Sequence, residues 1–169
     1  MFLAHLIWVI ILLLTHRHEL GFIPETEWSS QSQSLSELQQ NFFIRRNGNG
    51  QRFPYKLYHA LLITKTYPAA YWFTGVCWIT PTVFKVNSLK FAALLGIRAI
   101  QGGLFHKQGN FSRHLFVQVM KNSSPEIETH PDCNDVDDCN IRLFTDPHHR
   151  FGRDQTYDIS KEPANITDA

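Results

Sequence analysis

Between Phe53 and Ile97 the hydrophobic period changes twice, and this constrains the fold more than any other feature of the chain. Phe53, Leu57, Tyr58, Leu61 and Leu62 recur at the spacing of one helix face. Pro54 suits a first helical turn, where its missing N–H has no partner to lose. Lys56 and His59 fall away from that face and are expected outside the core. From Gly75 to Val86 the residues are Trp, Val, Thr and Phe-rich, interrupted by Thr80-Pro81, which reads as two short strands joined by a turn. Phe91, Leu94, Leu95 and Ile97 or Arg98 resume helical spacing up to Gly102-Gly103, with Gly96 as a weak point. Helix, hairpin and helix in so short a span can bury their apolar faces only against one another, so the fold class expected is α+β.

A chain of 169 residues holds one such domain plus tails. Residues 1–20 form an apolar N-terminal segment, and 21–52 a Ser- and Gln-rich linker with too few apolar residues to pack. The domain is placed at 53–154, with an acidic loop at about 122–140, which the resemblance described below implies is a wing, and a disordered tail at 155–169. After the glycine break, Asn110 to Lys121 reads as a further helix, with Phe111, Leu115 and Gln118 or Val119 inward. Asn110, Arg113, His114 and Lys121 then point outward. The alternation through Leu115 to Val119 equally suits a strand, and the preceding break favours the helix. The acidic stretch is expected to be a mobile loop, and Ile141 to Phe144 a short edge strand.

A formal net charge of +1 conceals a segregation of charge. No Asp or Glu occurs between Leu38 and Pro125, yet those 88 residues carry eleven cations: Arg45, Arg46, Arg52, Lys56, Lys65, Lys85, Lys90, Arg98, Lys107, Arg113 and Lys121. Six acids follow in Glu126 to Asp138. A compact unit with unopposed cations is relieved by a polyanion, which releases its own condensed counterions on binding. Nucleic acid is the partner this predicts, and duplex DNA in particular is what the resemblance described below implies. The acidic stretch would repel phosphate and is expected either to meet a basic protein partner or to shield the cations of its own chain.

At this point three pieces together resemble the heat shock factor DNA-binding domain. Phe53-Pro54-Tyr55-Lys56-Leu57-Tyr58 is similar to the opening of that family's first helix. Val76-Cys77-Trp78-Ile79 through Phe84-Lys85-Val86, then Lys90-Phe91-Ala92, is similar to its Trp-bearing strand, turn, second strand and second helix. Asn110-Phe111-Ser112-Arg113-His114-Leu115 resembles the start of its recognition helix. A fourth piece, Pro147 to Asp154, is similar to its closing segment through Phe151 and Arg153-Asp154. The resemblance covers about 100 residues and departs at Phe116 to Met120. It implies a winged helix-turn-helix, three helices packed on a small antiparallel sheet, acting in the nucleus as a sequence-specific transcription factor.

Under that resemblance Arg113 is the base-reading residue, since an Arg fork on guanine is the commonest specific contact in the major groove. Asn110 lies on the same outward face, while Lys56, Lys107, His114 and Lys121 are expected to meet phosphates. Trp78, Phe84, Phe91, Phe111 and Leu115 are core candidates, with Trp72 able to replace Trp78 if the strand shifts. No heptad repeat follows Asp154, so no coiled coil for trimerisation is visible and monomeric binding is expected.

The alternative is a secreted or membrane-anchored glycoprotein. It rests on the apolar run Phe2–Leu14 as signal or anchor, on sequons at Asn110, Asn122 and Asn165, and on Cys133 with Cys139 as a candidate disulfide. The run is short for a bilayer span, which needs roughly 17 to 25 residues. His130, Cys133, Cys139, His148 and His149 lack the paired spacing of zinc sites, so neither metal nor cofactor is expected. No catalytic triad, phosphate loop or carboxylate pair is present, and the chain is not read as an enzyme.

Overall fold

The computed structural model describes residues 34–45, 52–98 and 103–163. The run Phe2–Leu14, the sequon at Asn165, Arg46 and the Gly102 break lie outside them. Among the described residues no helix is long and apolar enough to cross a membrane.

Helix α1 (Leu35–Leu38) continues into a π turn at Gln39–Phe43 and is followed by the long α2 (Phe53–Thr66) and the short α3 (Tyr71–Thr74). Then come strands β1 (Val76–Trp78) and β2 (Val83–Asn87), helix α4 (Ser88–Leu94) and the single turn α5 (Asn110–Arg113). Strand β3 (Val117–Val119), helix α6 (Pro125–Glu128) and strand β4 (Ile141–Thr145) complete the order. The four strands form one antiparallel sheet ordered β1-β2-β4-β3. Helices on an antiparallel sheet are the expected α+β class, a small winged-helix-like architecture.

The hairpin and the helix after it stand where hydrophobic period placed them. Trp78 opposes Phe84 in register, and Asn87 caps α4 by accepting the Lys90 amide at 3.1 Å. Trp78 is half-buried against the core, whereas Trp72 is exposed. Strand β4 is an interior strand, however, because β3 pairs along its other side.

The Ser/Gln-rich segment is not all linker. Ser34 and Glu37 form a reciprocal capping box, with the Ser34 amide donating to Glu37 at 2.8 Å and the Glu37 amide to Ser34 Oγ at 3.1 Å. The turn so started buries Leu35, Leu38, Phe42 and Phe43 to 2 % exposure or less. Each such side chain contributes about 1.5–3 kcal/mol on leaving water. Gln39 Nε2 donates to the Ala93 and Leu94 carbonyls at 2.9 and 3.3 Å, satisfying acceptors at the end of α4.

This segment covers the side of α2 that period analysis left facing water. Lys56 and His59, expected outside, are therefore buried. His59 is fully enclosed, with its ring 4.4 Å from Tyr55, 5.1 Å from Tyr58 and 5.2 Å from Phe42. Burial holds its pKa down at about 3.

Both faces of the sheet are covered. Val76, Phe84, Val86 and Phe144 meet the helices in the main core. On the opposite face Ile79, Val83 and Leu143 pack against Ile127 and Cys133 of the acidic segment. That segment is not the free loop expected at 122–140: two 3-10 turns and α6 fold it onto the sheet. Its Asp135 accepts from buried Lys85 Nζ at 2.8 Å, and the Asp132 carbonyl does so at 2.6 Å. Cys133 is buried and Cys139 exposed, both as free thiols, so the candidate disulfide does not form.

The chain after β4 also folds back. Phe151 joins the core, the Tyr157 ring stacks on it at 5.9 Å, and Tyr157 donates to Glu162. The tail read as disordered from 155 thus contributes to the fold as far as residue 163.

Candidate nucleic-acid interface

Helix α5 has four residues, far fewer than a helix needs to persist alone, so tertiary contacts must hold it. Phe111 supplies most of them. It is 1 % exposed and its ring lies 4.3 Å from Phe144, 5.1 Å from Phe53 and 5.5 Å from Phe105. At the entry, the Gly109 carbonyl accepts the Arg113 amide at 2.9 Å. A Cβ on Gly109 would stand 2.6 Å from the Gly103 carbonyl oxygen, so only glycine fits this approach.

Arg150 anchors the exit. It is 0 % exposed and grips Asp146 through Nε at 3.0 Å and Nη2 at 2.9 Å. Nη2 also donates to the His114 carbonyl at 2.8 Å, Nη1 reaches Glu162 at 3.4 Å, and the guanidinium lies 4.6 Å from the Phe116 ring centre. Sequence reading passed over this residue. Its one local signal is the Asp146-to-Arg150 spacing of four, which is common on any surface.

The helix expected over 110–121 is therefore a single turn followed by a strand. Leu115, at φ 63, reverses the chain, and Val117, Gln118 and Val119 then pair with Thr145, Phe144 and Leu143. The alternation from Phe116 onward marks a strand, as β-branched residues at period two favour. With the helix shortened, Phe116 is buried and Leu115, expected in the core, is 44 % exposed.

Of the six residues singled out, three sit together on the outside of this corner. Arg113 is exposed on α5, Asn110 is half-buried at its first position, and Lys107 is exposed in the turn leading to it. Lys121 is half-buried at the start of the acidic segment, beyond β3. Two are inside the fold. The His114 ring stacks on Phe53 at 5.3 Å with an interplanar angle of 18°. Lys56 donates from Nζ to the Arg45 carbonyl at 2.7 Å, and burial lowers its pKa.

Arg45 and Arg98 are further exposed cations of the acid-free stretch. The Lys56 bond holds Arg45 near the start of α2, where Arg52 occupies the N-cap position with no side-chain capping bond and Phe53 packs on Phe91, Phe111 and His114. Ile44 lies against Gly96, two residues before exposed Arg98. By contrast Lys65, Lys85, Arg150, Arg153 and Lys161 are paired with carboxylates from Asp135 onward. The acids Glu126 to Asp138 belong to the segment on the far face of the sheet. Of these acids, Asp138 reaches β3, accepting from Gln118 Nε2 at 3.2 Å.

A cleft of about 350 Å³ lies at the other end of α2, lined by Lys65, Tyr71, Cys77, Trp78 and Lys85 among others. Burial pushes the Cys77 thiol up to about 12, so at neutral pH it is protonated and a poor nucleophile. Lys85 is engaged by Asp135. Among the described residues no three His, Cys, Asp or Glu side chains gather as metal ligands would.

No curated protein and no solved structure matches this chain. Comparison with protein families matches residues 25–137, from ahead of α1 into the acidic segment, to a family of DNA-binding domains other than the heat shock factors. That match covers two thirds of the sequence and agrees with the DNA-binding class to which charge and resemblance pointed: the chain belongs to the transcription-initiator DNA-binding domain family, IBD.

Proposed function

We propose that this chain acts in the nucleus as a sequence-specific DNA-binding protein of transcription, presenting the α5–β3 corner to the major groove with Arg113 as its base-reading residue. The observation that carries the proposal is that exposed Lys107 and Arg113 lie at this corner in a member of a DNA-binding family. A helix of one turn does not lie along a groove, so the corner enters end-on. Arg113 then offers a guanidinium fork to guanine, the commonest specific contact in the major groove. Asn110 is placed beside it. Lys107, Arg45 and Arg98 supply charge to flanking phosphates, with Lys121 reaching a more distant one. Lys56 and His114 act through the fold, holding the chain after the Gln39–Phe43 turn and the end of α5. Glu126 and Glu128, on the far face, fit a basic protein partner and not the duplex.

The test is binding of the full chain to labelled duplex DNA by fluorescence anisotropy across a salt series. Affinity is expected to fall steeply with salt, and Arg113→Ala to relax preference at one base pair by about 1–3 kcal/mol. Failure of the purified protein to bind any duplex at low salt would overturn the proposal.

A further inference from the structure

We propose that Leu115 is a second base-contacting residue, its side chain packing on the C5 methyl of a thymine next to the base read by Arg113. This rests on the DNA-binding reading above and assigns part of its specificity.

A leucine in the left-handed region is uncommon, because Cβ crowds the following carbonyl oxygen. Leu115 has φ 63. Its neighbours Phe111, His114 and Phe116 are 1 %, 8 % and 6 % exposed, while Leu115 itself is 44 % exposed. The chain thus buries what surrounds this residue and turns a large apolar side chain into water. Closing the turn does not require this, since glycine or asparagine adopts the same backbone at less cost.

Contacts on both sides hold the strained conformation. Arg150 Nη2 fixes the His114 carbonyl at 2.8 Å before it. The Leu115 amide donates to the Ser112 carbonyl at 3.1 Å, and the Phe116 amide to the Phe111 carbonyl at 2.9 Å. Strain kept in place by a rigid surround is characteristic of ligand contacts. Here it sets an apolar group two residues from exposed Arg113, on the corner that faces the duplex. In the major groove the one apolar group on a base edge is the thymine methyl. An arginine and a leucine side by side therefore match a guanine next to a thymine.

The experiment first selects bound duplexes from a random pool with the full chain. Each thymine of the selected duplex is then replaced by deoxyuridine, which removes the methyl and leaves every hydrogen bond in place. One replacement is expected to weaken wild-type binding about fourfold, the value of one buried methyl group. Leu115→Gly and Leu115→Asn, which suit the left-handed backbone, are expected to keep or raise Tm, to bind the parent duplex about fourfold more weakly, and to be indifferent to that replacement. Equal sensitivity in wild type and variants, or no sensitive thymine in the wild type, would overturn the proposal while DNA binding stands. A wild-type selection that enriches no sequence would overturn both, and it appears before any variant is compared.

Discussion

Arg150 is where one substitution should reveal most about how the corner is held. Arg150→Met keeps much of the volume and removes the charge. It leaves Asp146, 3 % exposed at its side chain, as an uncompensated buried carboxylate and takes the donor from the His114 carbonyl. Breaking a buried pair from one side costs about 3–5 kcal/mol, because the remaining ion keeps its desolvation penalty. Against a total stability of about 5–15 kcal/mol for a domain, this is about a fifth or more. The expected fall in Tm is on the order of ten degrees. Arg150→Lys keeps a charge but loses the fork on Asp146, and should fall between wild type and Met. Urea denaturation followed by tryptophan fluorescence measures all three proteins. Since the pair is buried, 1 M salt should leave the differences nearly intact. A Met variant within about 1 kcal/mol of wild type at unchanged m-value would refute the reasoning.

His59 makes stability depend on acidity. Its pKa is about 3 in the fold and near 6.5 when unfolded, so between these values the unfolded chain binds the extra proton. Stability should fall as pH drops below about 6.5, by up to about 1.4 kcal/mol per unit from this residue, and His59→Leu should flatten the slope. Parallel slopes in the two proteins would contradict its burial as a neutral ring. Phe42→Ala should cost about 3–5 kcal/mol if α1 belongs to the domain, whereas a linker residue would cost almost nothing in the same denaturation assay. Ile127→Ala should cost about 2–5 kcal/mol, tested by thermal melting, because the acidic segment is docked on the sheet; a value below about 0.5 kcal/mol would mean that it is not.

Much of the scaffold was legible in local pattern. The spacing from Phe53 to Leu62 marks α2, the Trp- and Val-rich stretch marks the β1–β2 hairpin, and the recurrence at Phe91 marks α4. These signals are local because one face of each element must be apolar, whatever covers it. The capping box Ser34-Leu35-Ser36-Glu37 ahead of Leu38, Phe42 and Phe43 was also present in the sequence. The Ser/Gln-rich composition reads as a linker, yet Leu35, Leu38, Phe42 and Phe43 dock the segment on the domain.

The candidate site was legible as chemistry but not as geometry. The acid-free stretch identified the partner class, and Arg113 was recognisable as an outward-facing arginine. The length of α5 was not readable, because Phe111 and Phe116 suit either a helix or a strand and only the pairing of Val117–Val119 with β4 decides between them. Nor was the exchange of Leu115 for Phe116 as the buried residue, which follows from one positive φ held by Arg150 from 35 positions downstream. By itself the sequence determined which segments carry apolar faces and where charge is unopposed. Tertiary structure alone decided which face of α2 remained for water, where the acids went and which side chains the α5–β3 corner presents, because each depends on a partner far away in the chain.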